Sequence, residues 1–222
     1  MEEDESEQLI EHSFMLLSNI SALDIGQKHL LGLEGDQKSK FIIAESIFGM
    51  SCYFSKNKSF DFVSNIMANL ACLEEGRNFM IEHKYIEAIV VQMVTKFLNQ
   101  HRRKYLIQCI RNLLFEFTTH EEKFLEMNVA RDICKVLIDE QGITEDKLPD
   151  AWKIWKAKQV KSESDIDYHN TAHMIDALVL LTNSDKLLRR MHEIDVNSVL
   201  TQIRFPQEPQ WEDVTLRIQV IQ

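Results

Sequence analysis

The sequence predicts an all-α fold built as a solenoid of stacked helical repeats, and three observations carry that expectation. The chain writes nearly the same sentence three times, as "LLSNISALDIGQKHLLG" from Leu16, "IMANLACLEEGRNFMIE" from Ile66 and "CIRNLLFEFTTHEEKFLE" from Cys109. Only 6 glycines and 3 prolines are spread over 222 residues, so turn-makers are scarce. Apolar residues recur three and four apart, the spacing of a helix face, with little of the alternation that marks strands.

Aligned, the three segments place Asn19, Asn69 and Asn112 in register, each between an apolar pair and a further apolar residue. Gly26 and Gly76 lie seven residues beyond their asparagines. A weaker fourth copy, "ALVLLTNSDKLLRRMHE", starts at Ala177 and carries Leu181 at the asparagine position. The spacings are 50 and 43 residues, close to the period of armadillo and HEAT solenoids. The chain is therefore read as an armadillo/HEAT-like right-handed superhelical solenoid of about four repeats, its first and last units atypical as end caps.

Each element follows from local pattern. Residues 1–8, opening "MEEDESE", read as an acidic, solvated tail, and residues 9–222 as the repeat domain. In the best-defined unit a short helix is predicted over 77–83. A second follows over 85–98, with Ile86, Ile89, Val90, Met93, Val94 and Phe97 on one side. A third covers 102–115, with Tyr105, Leu106, Cys109, Ile110, Leu113 and Leu114 on its apolar face. No single unit can bury that much apolar surface, and stacking neighbours does. An insertion at about 139–168 interrupts the array and contains Trp152 and Trp155 among lysines, "AWKIWKAKQVK".

Several residues carry two readings. Asn19, Asn69 and Asn112 sit where an amide can bond backbone at the helix end, or clamp a bound peptide. Arg102, Arg103 and Lys104 open a helix whose dipole they oppose, so the triplet is either a plain solvated start or a contact for a partner. Trp152 and Trp155, at i and i+3 with a basic rim, suit a helix-in-groove contact or seal the seam between repeats. The candidate partner-binding residues are Asn69, Arg102, Arg103, Arg111, Asn112, Trp152 and Trp155.

Composition narrows the function. The net charge is -10, a poor footprint for nucleic acid. No apolar run approaches a membrane span, the start lacks the form of a signal peptide, and the protein is expected in the cytoplasm. Cys52, Cys72, Cys109 and Cys134 form no CxxC pair and read as buried free thiols. "DYHNTAHMIDALVLL" from Asp167 resembles the start of the cyclic-nucleotide phosphodiesterase catalytic domain. There His169 would donate a proton and His173 would bind metal, but the later His-Asp pair that this family needs does not follow. No P-loop and no GxSxG elbow is present. The expectation is a binding protein, not an enzyme, with no cofactor and no metal.

Read in order, Ser18-Asn19, Asn69, Glu75-Gly76-Arg77, Arg111-Asn112, Phe115-Glu116, Glu145, Leu148-Pro149 and Leu180-Leu181-Thr182 resemble a known set. It is that of the armadillo-like eukaryotic family of cochaperones for folding of translation elongation factor 2. Two cysteines of that family's third segment are replaced by Leu113 and Leu114, and family members are usually longer. The resemblance implies a protein-binding chaperone adaptor. Its client would be elongation factor 2, and its partners the cytosolic chaperonin and the ninety-kilodalton heat-shock chaperone. A generic armadillo scaffold or transport adaptor binding linear peptides is the alternative.

Overall fold

A computed structural model describes residues 2–35, 40–53, 57–95, 99–155, 157, 166–204 and 210–221. Among them are thirteen α-helices with short 3-10 turns and no strand, as the scarcity of turn residues predicts. The chain divides into two compact units, Met1–Leu113 and Leu114–Gln222.

The first unit holds α1 (Glu2–Ser21), α2 (Asp24–Leu30), α3 (Ile42–Tyr53), α4 (Asp61–Leu70), α5 (Glu74–Glu82), α6 (Tyr85–Met93) and α7 (Gln100–Leu113). Its plan has a period of three helices. α2, α3 and α4 make one set and α5, α6 and α7 the next, with α1 standing as a third helix alone. Third helices pack on third helices, α1 against α4 and α4 against α7, while α3 and α6 back onto α4 and α7. α4 is covered on two sides, so Val63, Ile66, Met67, Ala68 and Leu70 are all buried. Each large side chain buried there contributes about 1.5–3 kcal/mol.

The second unit repeats the plan with α8 (Phe117–Glu126), α9 (Val129–Gln141), α10 (Tyr168–Leu181), α11 (Asp185–Glu193), α12 (Val196–Leu200) and α13 (Gln210–Ile221). α8 packs on α11, α9 on α12 and α10 on α13, so equivalent helices stack again.

Two kinds of corner recur, one in all four sets and one at two junctions. The residue just before the second helix is left-handed each time: Phe41 (φ 67°), Lys84 (φ 62°), Asn128 (φ 55°) and Asp195 (φ 56°). In three of them its N–H donates to the carbonyl three residues back, Ile81, Leu125 and His192. The other corner lies between a third helix and the next first helix. A Cβ on Gly26 would stand 2.0 Å from the Ile20 carbonyl oxygen, and one on Gly76 2.1 Å from that of Leu70. Glycine recurs seven residues past the asparagine because backbone passes directly over backbone there.

Several boundaries differ from the sequence reading. The acidic start is no tail: α1 begins at Glu2, and Glu5 and Glu7 are exposed on it. α5 starts at Glu74 because Leu73 is extended and Glu74 and Glu75 fill the first turn. α6 ends at Met93, and part of the stretch expected to continue it, 96–98, lies outside the described residues. The insertion is shorter than expected, since α9 runs on to Gln141 and stops at left-handed Gly142 (φ 60°). Beyond it Ile143, Leu148 and Trp152 are buried anchors along two 3-10 turns, Glu145–Lys147 and Asp150–Trp155. Lys156, Lys158 and Lys161 lie outside the described residues.

Candidate protein-binding surface

Most of the polar residues singled out in the sequence are engaged inside the fold. The Asn69 amide donates to the Ser18 carbonyl at 3.3 Å and to Ser21 Oγ at 2.9 Å. The Asn112 amide donates to the Ala68 carbonyl at 3.3 Å and lies 3.6 Å from Cys72 Sγ. Ser18 precedes Asn19 and Ala68 precedes Asn69, so each amide crosses to the same place on the neighbouring third helix. The asparagines form a ladder between rungs, rather than capping their own turns.

The basic triplet is also not a solvated helix start. Arg102 is buried, with Nε donating to Asp61 Oδ1 at 2.9 Å and Nη2 to the Asn57 carbonyl at 2.8 Å. Burial holds the Asp61 carboxyl above its ordinary range, and the Arg102 guanidinium offsets only part of that rise. Arg103 is buried and donates to the Thr95 carbonyl at 3.3 Å, tying α7 to the end of α6. The helix start is capped by Asn99, whose Oδ1 accepts from the Arg102 N–H at 2.7 Å. Of the triplet, only Lys104 is left partly accessible.

Within the second unit Trp152 is 1% exposed, and its Nε1 donates at 3.2 Å to the carbonyl of Asp195, the left-handed corner residue. That is the seam-sealing alternative. Trp155 is half-buried under the ammonium of Lys135, 3.9 Å from the ring centroid. In "DYHN", the Asp167 carboxylate caps α10 by accepting from the Asn170 N–H at 2.9 Å, and the Tyr168 ring stands edge-on to Trp211 at 5.0 Å. His169 is exposed and His173 half-buried. Among the described residues no group of three or more His, Cys, Asp and Glu is arranged to hold a metal. Burial raises the thiols of Cys109 and Cys134 far above the range of reactive thiolates. Cys72, expected buried, is exposed, and the Cys52 side chain lies outside those described.

What remains accessible on the paired third helices α4 and α7 is a cluster of rings that the sequence did not single out. Phe62 and His101 have centroids 5.3 Å apart, and His101 and Tyr105 5.0 Å apart. His101 is exposed, and Phe62, Tyr105, Lys104, Gln108 and Arg111 are half-exposed along the same helices. Arg111 also donates to Asn112 Oδ1 at 3.2 Å, which fixes both side chains. The sequence pattern places Tyr105 on the core face, whereas the fold leaves it half-exposed. The signal for its accessibility was the pairing of His101 and Tyr105 at i and i+4, offset from the buried Arg102, Leu106 and Cys109.

Fold and surface together define an all-helical protein made of recurring three-helix sets, with a half-exposed aromatic and basic strip along its third helices. Residues 3–169 match the family described as Domain of unknown function (DUF383), and since this is most of the chain, the protein belongs to that family. No curated protein matches it. No helix among the described residues is long and apolar enough to cross a membrane.

Proposed function

We propose that this protein is a protein-binding adaptor of the armadillo/HEAT-like solenoid class, with about four repeats in a right-handed superhelix. In this reading it is a cytoplasmic cochaperone that assists folding of translation elongation factor 2 by recruiting the cytosolic chaperonin and ninety-kilodalton heat-shock chaperones. The motifs from Ser18-Asn19 to Leu180-Leu181-Thr182 support the family part of the reading, and the three-helix period supports the class.

The observation that carries it is the Phe62, His101 and Tyr105 cluster beside Lys104 and Arg111. Stiff aromatic side chains give contact area at little cost in conformational entropy, and Tyr and Arg are enriched among residues that dominate binding energy. Asn112 and Arg102 lie on the same helix, α7, with their side chains engaged inside the fold. The strip suits an unfolded segment with apolar and acidic side chains.

The test is binding of elongation factor 2, freshly diluted from denaturant, to the purified chain. His101→Ala/Tyr105→Ala weakens that binding at least about tenfold, equivalent to about 1.4 kcal/mol, and leaves the melting temperature within a few degrees. Equal binding by wild type and variant, or no binding by the wild type, contradicts the reading.

A further inference from the structure

The α4–α7 strip is basic at its surface, although the chain carries 35 acidic residues. α7 reads QHRRKYLIQCIRNL, with no acidic residue over its whole length. α4 has a single one, Asp61, and Arg102 engages it at 2.8 Å. Arg102 and Arg103 are buried, so the guanidinium and ammonium charge of α7 that reaches solvent is that of Lys104 and Arg111. The accessible side chains fall in two adjoining rows. His101 and Tyr105, one turn apart, carry the rings, and Phe62 of α4 stands against His101 at 5.3 Å. Lys104, Gln108 and Arg111 form the second row, further round the helix than Arg102 and Asn112, which meet α4. The two helices run parallel, since Asp61 meets Arg102 at one end and Ala68 meets Asn112 at the other. The rings therefore lie at the N-terminal end of both helices. Arg111 stands about 9 Å beyond Tyr105 along the axis, at roughly 1.5 Å per residue.

On the reading of this strip as the client-binding surface, we propose that it selects a short extended segment with one aromatic side chain and two carboxylates. The aromatic residue lies over the Phe62, His101 and Tyr105 rings. An Asp or Glu beside it meets Lys104, and a second, about three residues along at roughly 3.3 Å each, meets Arg111. The Arg111 side chain is already oriented by Asn112 Oδ1 at 3.2 Å, which lowers the ordering cost of meeting a carboxylate. A helical occupant is disfavoured, because the rings span little more than one turn of α7, a short seat for a helix's apolar face. Lys104 and Arg111 disfavour a basic segment, and the net charge of -10 disfavours nucleic acid.

The probe is a fluorescein-labelled synthetic peptide with one phenylalanine, a glutamate beside it and an aspartate three residues further on, read by polarisation against the whole chain. It binds saturably, and more weakly as sodium chloride is raised. Exchanging both acids for their amides weakens it at least about threefold, and exchanging the phenylalanine for alanine at least about tenfold. Lys104→Glu leaves the melting curve unchanged and reverses the preference at the first acid, so that a peptide with lysine there binds the variant more tightly than it binds the wild type. Misfolding does not produce such an exchange. Arg111→Gln removes the discrimination between aspartate and asparagine at the distal position. Equal affinity for the acidic and amide peptides, no binding by the wild type, or an unaltered preference in Lys104→Glu overturns the proposal. Equal peptide affinities beside elongation factor 2 binding that depends on His101 and Tyr105 remove the motif and keep the client. Acid-dependent peptide binding without elongation factor binding keeps the motif and removes the client.

Discussion

The amides of Asn69 and Asn112 cross between neighbouring third helices because a carbonyl near a helix end has capacity to spare. The chain turns after Ala68, the Cys72 N–H goes to the Asn69 carbonyl, and the Ala68 carbonyl accepts from Cys72 Sγ and the Asn112 amide instead. Leucine has the size of asparagine but no donor, which explains why the fourth copy at Leu181 makes no such rung. Asn112→Ala strips a buried carbonyl of its strongest donor and costs about 1–3 kcal/mol in urea unfolding; a loss below about 0.5 kcal/mol shows that the ladder contributes nothing. The register of the asparagines was legible in the sequence, but their acceptors were not. Asn112 and Ala68 are 44 residues apart, as Arg102 and Asp61 are 41 apart, and no local pattern identifies such a partner. For the same reason Arg102 and Arg103 read as a surface charge run: a run on paper carries no information about an aspartate delivered by another helix.

At the scale of the element, helix type was legible from periodicity, while helix ends depended on corners that repeat without a shared residue. Phe41, Lys84, Asn128 and Asp195 all adopt the left-handed conformation, yet only asparagine and aspartate tolerate it well enough to hint at it. The other corner did leave a residue signature, Gly26 and Gly76, and its cause is the close approach of first helix to third. Two glycines therefore respond oppositely to the same change. Gly76→Ala forces α5 away from the Leu70 carbonyl and destabilises by about 1–3 kcal/mol. Gly49, in α3, has nothing within 4 Å of a Cβ, and Gly49→Ala stabilises by about 0.5–1 kcal/mol through helix propensity. Thermal unfolding of the two variants side by side checks the signs, and a neutral Gly76→Ala contradicts the close approach.

At the scale of the whole molecule, repetition is what the sequence displayed most openly. A threefold sentence with few glycines and prolines implies units that bury surface against one another, and both compact units stack equivalent helices. Its candidate binding residues were less legible. Asn112, Arg102, Arg103 and Trp152 looked available because polar and aromatic residues stand out in a sequence, yet burial and internal bonds engage all four. The accessible strip is made of residues whose types are ordinary, and only packing separates Tyr105 from Leu106. We propose that the third helices α4 and α7 of the first unit hold a client polypeptide. The most direct measurement is hydrogen–deuterium exchange of the whole chain, with and without elongation factor 2 diluted from denaturant. A client held there slows exchange centred on α4 and on α7 from His101 to Arg111. Unchanged exchange in both helices, or protection confined to Leu114–Gln222, contradicts it.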